Sequence, residues 1–254
     1  MSPRCWALMA GLLLGLGGIA GCGPSGSGSA GPETTNPAPA AASKGAVVEV
    51  GGGTPLPVDV TADTAIAPEL ERADALARAG KLDAALAAYT QLMGKASDNE
   101  EVHFNYGHLL ARMGRTNEAV VEYETALKLL PTYAEAHNNL GNLLVKQKKY
   151  DAAITHFEAA IKSNPKDSTT YNNLGTAQAT AGRVADAIPN FARAAQLNPD
   201  YVEAWFNLGR SDLTLGRLDE GIVALETALR LRPDLEPASK LLEMAKSAKK
   251  ARGF

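Results

Sequence analysis

Four asparagines, Asn105, Asn139, Asn173 and Asn207, stand 34 residues apart, each two residues before a glycine. A carboxamide carries both a donor and an acceptor. A regular row of them can hydrogen-bond the backbone of an extended peptide without reading its side chains. Nearby, in the same register, lie Asn138, Asn142, Asn172, Arg112, Lys146 and Arg210, with Phe104 and Phe206 toward the two ends. Together they form the candidate partner-binding set, and the cations bias it toward acidic segments. Other chemistry is scarce. The four histidines, His103, His108, His137 and His156, form no His-Glu-x-x-His pair, and neither a metal-spaced cysteine set nor a P-loop is present. Gly26, Gly28 and Gly31 match a dinucleotide fingerprint, but no strand precedes them and no helix follows. No catalytic residue, metal site or cofactor is expected, and an enzyme is the remotest reading.

The 254 residues carry a formal net charge of −3, too little to imply a nucleic-acid partner. The N-terminus has one early cation, Arg4, then an uncharged run from Cys5 to Ala20 rich in Leu and Gly. That run is short for a membrane span, which needs about 20 apolar residues, and fits a secretory signal. Its end, Ile19-Ala20-Gly21-Cys22, resembles a bacterial lipobox. The resemblance implies cleavage after residue 21, a lipid on the Cys22 thiol and no free thiol in the mature chain. Losing Arg4 takes the charge from −3 to −4. Several acyl chains, at about 0.8 kcal/mol per buried methylene, anchor firmly. Gly23 follows the cysteine where an aspartate is associated with inner-membrane retention, so the resemblance favours the periplasmic face of the outer membrane. Residues 22–65, rich in Gly, Ser, Pro and Ala, bury too little apolar surface to fold alone and read as a linker. With about 40 residues its root-mean-square reach is about 35 Å.

Those functional residues need elements to position them, and a 34-residue period from Ile66 supplies these. The windows are 66–99, 100–133, 134–167, 168–201 and 202–235. Position 8 of each window is Ala73, Gly107, Gly141, Gly175 or Gly209; position 20 is Ala85, Ala119, Ala153, Ala187 or Gly221. Position 24 is large: Tyr89, Tyr123, Phe157, Phe191 or Leu225. Small residues permit close helix approach and the large one fills the space left. Pro131, Pro165, Pro199 and Pro233 at position 32 stop the second helix. Gly80, Gly114, Gly182 and Gly216 at position 15 suit a left-handed turn between helices, with Lys148 the exception.

On these positions residues 66–235 resemble tetratricopeptide repeats, whose period this is. The resemblance implies an all-α, right-handed superhelical solenoid of five helical hairpins, its first helices lining a concave surface. A capping helix from about Pro237 to Lys250 follows, within a tail of residues 236–254. Leu241, Leu242, Ala245 and Ala248 make its apolar stripe, and its lysines a solvated face. Arg72 marks the first window as atypical, as terminal repeats are. At position 11, Gln178 and Asp212 replace leucines, so that level is either wetter or internally paired. Pro189 is expected near the first turn of its helix, where it is tolerated.

The asparagine row also resembles the ladder of tetratricopeptide superhelices such as the O-linked N-acetylglucosamine transferase family. No window has the position-5 lysine of the chaperone-binding carboxylate clamp. The implied function is a membrane-anchored scaffold binding extended segments of partner proteins in its groove, with the asparagines exposed. The competing reading is a pilotin-like assembly factor for outer-membrane secretins.

Overall fold

A computed structural model describes residues 60–253. The signal segment, Cys22 and the linker through residue 59 lie outside the described residues. The eleven described helices are α1 (Val60–Arg78), α2 (Leu82–Met93), α3 (Glu100–Arg112), α4 (Thr116–Leu129), α5 (Ala134–Lys146), α6 (Tyr150–Ser163), α7 (Ser168–Thr180), α8 (Val184–Leu197), α9 (Val202–Thr214), α10 (Leu218–Leu231) and α11 (Glu236–Ala251). The first begins within the stretch assigned to the linker. From α1 to α10 they form five sequential hairpins, and α11 follows as a single helix, the all-α tetratricopeptide plan. Each second helix also packs on the first helix of the next hairpin, and α5, α7 and α9 touch in succession. The first helices therefore line the tighter inner side.

Packing explains the repeat code. A Cβ on Gly141 would sit 2.7 Å from the Phe157 ring, and one on Gly175 2.8 Å from the Phe191 ring. In these two repeats the missing Cβ lets the position-24 ring lie close against the first helix, while the first repeat accommodates Ala73 beside Tyr89. In the last repeat Leu213 replaces a smaller residue at position 12, and a Cβ on Gly221 would come within 2.6 Å of it. The small residue at position 20 thus shrinks from alanine to glycine where its neighbour grows. Tyr89, Tyr123, Phe157, Phe191 and Leu225 are all fully buried.

Each hairpin turn closes the first helix with the same pair of backbone bonds. In the third repeat Lys148 N–H donates to Val145 O (2.9 Å) and Lys149 N–H to Leu144 O (2.9 Å). This Schellman geometry puts position 15 in the left-handed region. Gly80, Gly114, Gly182 and Gly216 take it at φ 72° to 83°, and Lys148 takes it at φ 60°.

Two expectations are revised or resolved. Pro189 is the sixth residue of α8, beyond the first turn, and leaves the Ala185 carbonyl without its helical donor. Ala185 is exposed, where water can serve that carbonyl, and the helix continues unbroken. At position 11 the side chains are paired: Asn190 Nδ2 donates to Gln178 Oε1 (2.8 Å), and Asp212, 4% exposed, faces Arg217 at 3.7 Å. In α11, Ala238, Leu241 and Ala245 are the buried stripe, while Leu242 and Ala248 are half-buried. Lys246 pairs with Glu226 (2.7 Å), Lys249 with Asp219 and Lys240 with Glu236 (3.2 Å).

Candidate protein-binding face

The inner side presents positions 2, 6, 9 and 13 of each first helix. Position 5 turns toward the repeat junction and position 12 toward the second helix, as Leu213 does against Gly221. The position-6 asparagines are half-buried, not exposed as expected, and each is bonded across a repeat junction. Asn173 Nδ2 donates to Asn138 Oδ1 (3.0 Å) and Asn207 Nδ2 to Asn172 Oδ1 (3.0 Å). Asn105 Nδ2 donates to Asp74 Oδ2 (3.3 Å). Asn139 is bonded to the Tyr123 hydroxyl. The physical reason is that helices stacked side by side bring position 6 against the preceding repeat, where an unpaired amide would lose its water.

The choice of partner follows local composition. Where position 5 of the preceding repeat is Asn138 or Asn172, that amide accepts the bond. Where it is Leu70 or Phe104, the acceptor comes from elsewhere. Tyr123 supplies one directly. Tyr89 donates to Asp74, which in turn accepts from Asn105. Position 24 is tyrosine in these two repeats and phenylalanine in the two where asparagine has taken over position 5.

Two expected site residues are not surface groups. Phe104 and Asn172 are each only 8% exposed. Phe104 packs on Tyr123 and Tyr133, ring centroids 5.8 and 4.7 Å away, because an aromatic at position 5 falls into the junction between repeats. The remaining set is brought to one face. Arg112 Nη1 donates to Ala77 O (2.8 Å) and is fixed against the first repeat. Arg210 is half-buried, lies 5.6 Å over the Phe206 ring and donates to Asn207 Oδ1 (3.3 Å). Burial holds the Arg210 guanidinium below its ordinary range. Half-buried Asn142 and exposed Lys146 have no side-chain partner among the described residues.

Sequence reading missed Asp74, at position 9 of the atypical first repeat. Burial first pushes its carboxyl above the ordinary range, the Tyr89 bond and Arg78 opposing. Beside it, His108 is lowered, by burial first and by Arg112 second. The other histidines are structural. His103 sits between Glu122 (2.6 Å) and the Ser97 carbonyl (3.0 Å). His137 Nε2 donates to the Pro131 carbonyl (3.1 Å), and its Nδ1 meets His156 Nδ1 at 2.9 Å. Trp205 Nε1 makes the same cap to the Pro199 carbonyl (2.8 Å), so position 4 closes repeat junctions. Among the described residues no group of three or more His, Cys, Asp or Glu could hold a metal ion.

Stacked hairpins with a polar, pre-bonded inner side define a tetratricopeptide-repeat protein. The chain belongs to the family of the cilia and flagella-associated protein 70 C-terminal domain, whose model matches residues 60–252. No curated protein matches it. Among solved structures it is similar to MamA (TM-score 0.61, 24% identity, 63% of this chain and 94% of that one). A MamA fragment from Desulfovibrio magneticus RS-1 gives TM-score 0.58 and 24% identity over 70% of this chain and 97% of that one. YrrB, described as a TPR protein with an unusual peptide-binding site, gives TM-score 0.61 and 22% identity over 73% and 97%. At these identities the likeness is one of fold.

Proposed function

We propose that the chain is a lipid-anchored scaffold that holds extended segments of partner proteins along its inner face. The observation that carries this reading is the row of amides fixed by their neighbours. The bonds to the preceding repeat use one polar atom of Asn173 and one of Asn138, leaving an oxygen and an N–H₂ to offer. Groups already ordered lose little entropy when a ligand arrives. Asn142 and Lys146 add unspent donors in the central repeat. YrrB, of like fold, is described as having a peptide-binding site.

Anchoring through Cys22, with the array in the periplasm and the outer membrane favoured, rests on the lipobox-like segment. Among the described residues no helix is long and apolar enough to cross a membrane. Mass spectrometry of the mature N-terminus tests it: a lipidated Cys22 as first residue is expected, and a retained Met1 or bare thiol would overturn it.

Cross-linking pull-down from intact cells, wild type against Asn142→Ala, tests the scaffold. Partner peptides captured by the wild type should bind the variant about 2- to 10-fold more weakly, one hydrogen bond's worth. Equal binding would sink the inner-face reading. Secretin subunits as the main capture would favour the assembly-factor alternative; varied proteins favour the general scaffold; turnover of a small molecule would revive an enzyme.

A further inference from the structure

The turn between α5 and α6 differs from the other four in two ways, its left-handed residue and its number of cations. Lys148 occupies the left-handed position at φ 60°, a conformation that costs any side chain and that glycine supplies in every other repeat. Lys146, Lys148 and Lys149 put three exposed cations into four residues. None of them is in an ion pair among the described residues.

The missing pairs have a specific origin. At position 16, Lys81 of the first repeat is in no ion pair among the described residues, and Arg217 faces Asp212 of its own first helix at 3.7 Å. The two arginines that lie between them in the chain use one of two other acids. Arg115 pairs with Glu118 of its own second helix, at position 19. Arg183 pairs with Asp151 of the preceding repeat, at position 18. For Lys149 the first of these places holds Ala152 and the second holds Asn117. Asn117 is engaged instead as acceptor for Gln147 Nε2 (3.2 Å), and nearby Asp151 is taken by Arg183. The result is a threefold positive turn, without local neutralisation, at the middle of a chain whose net charge is −3. An ordinary solvated charge run needs neither the loss of both acids nor a lysine in a glycine conformation.

We propose that this turn is a docking point for an acidic segment of the partner protein, met where that segment leaves the inner face. The inference rests on the scaffold reading for the nature of the partner. Its geometry is independent of the asparagines: Lys146 ends α5 at the rim of the inner face, and Lys148 and Lys149 continue from that rim onto the edge of the array. A flexible acidic strand gains charge contacts there without displacing any existing pair.

The test adds acids rather than removing lysines. Asn117→Asp with Ala152→Glu restores both neutralising groups. Aspartate keeps the acceptor that Gln147 uses, and glutamate suits the first turn of α6. In the full chain, binding of a Glu-Ser repeat peptide and its Gln-Ser twin is measured by fluorescence anisotropy at low and high salt. The wild type should prefer the Glu peptide at low salt and lose the preference at high salt. The double variant should weaken Glu-peptide binding about 3- to 30-fold at low salt, as a few rim charges are worth, and leave the Gln peptide unchanged. Lys148→Gly with Lys149→Gln should act in the same direction with a higher melting temperature from the glycine. No Glu preference, or an equal one in both variants, overturns the proposal. Binding to phosphatidylglycerol vesicles that the variants abolish, without any peptide preference, overturns it in favour of a membrane contact. If Asn142→Ala leaves partner binding intact while the acid variant weakens it, the inner-face reading fails and the turn stands; the reverse result separates them the other way.

Discussion

At the scale of residues, the asparagines do two jobs, and one is measurable without a partner. Asn173→Ala removes the bond to Asn138 and leaves a half-buried carboxamide oxygen without its donor. We expect a loss of about 1 kcal/mol, or about 2–4 °C in melting temperature for a domain of this size. Asn142→Ala, which breaks no protein bond, should leave the melt within about 0.5 kcal/mol of wild type. Equal melts for both would mean the cross-repeat bonds contribute nothing. The His137–His156 contact gives a second handle. The two Nδ1 atoms are 2.9 Å apart, a hydrogen-bond contact that requires one of them to be unprotonated and does not survive when both rings carry a proton on Nδ1. The His156 imidazole is held below its ordinary value, by burial first and by His137 second, with Glu124 opposing. The unfolded chain therefore takes up this proton first, so the stability due to the pair is present above about pH 6.5 and is lost as the pH falls. Melts run from neutral to acid pH should decline less steeply for His156→Gln than for wild type; parallel curves would exclude the pair as a source of acid sensitivity. The asparagine row and the histidines were legible as residue types at a spacing. Their partners were not, because a cross-repeat bond depends on which faces meet. The switch from tyrosine to phenylalanine at position 24, in step with the arrival of asparagine at position 5, was the trace those contacts left in the chain.

At the scale of elements, hairpin packing is set by two pairs of positions, one glycine against a ring and one small residue against position 12. Gly141→Ala would push a methyl into the Phe157 ring at 2.7 Å. Overpacking of this kind typically costs about 1–3 kcal/mol. Gly221→Ala should be similarly harmful, and Leu213→Ala in the same chain should recover part of the loss, since it removes the atoms that a Cβ at 221 would meet. Thermal melts of the two singles and the double check this; simple additivity would show that the two sites do not touch energetically. These elements were readable in advance because a 34-residue period repeated five times averages out local ambiguity. The exceptions were single-copy features. Pro189 sits deeper in its helix than propensity rules favour, and it persists because the orphaned Ala185 carbonyl faces outward. Phe104 and Asn172 share position 5 with half-buried Phe206 and Asn138, yet junction packing buries them.

At the scale of the whole array, each hairpin touches only its neighbours, so stability should be graded along the chain and the cap should matter locally. Helix α11 places Ala238, Leu241 and Ala245 against the last hairpin and ties to it through Lys246–Glu226 and Lys249–Asp219. Those two pairs are exposed and worth little each; the buried stripe carries the effect. Removing residues 236–254 exposes the side of α10 that the stripe covered, next to buried Ala224, Leu225 and Ala228. Leu225 in turn fills the space beside Gly209, so loosening α10 loosens α9. Hydrogen exchange on the truncated chain should then show amides of α9 and α10 losing protection first, by an order of magnitude or more, as local opening becomes cheaper. Amides of α3 to α6 should keep nearly their full protection, because two or three repeat junctions separate them from the cut. An equal loss in α3 to α6 would mean that the five hairpins open as one unit and that the cap stabilises the array globally. An unchanged α10 would mean that α11 rests on the last repeat without supporting it.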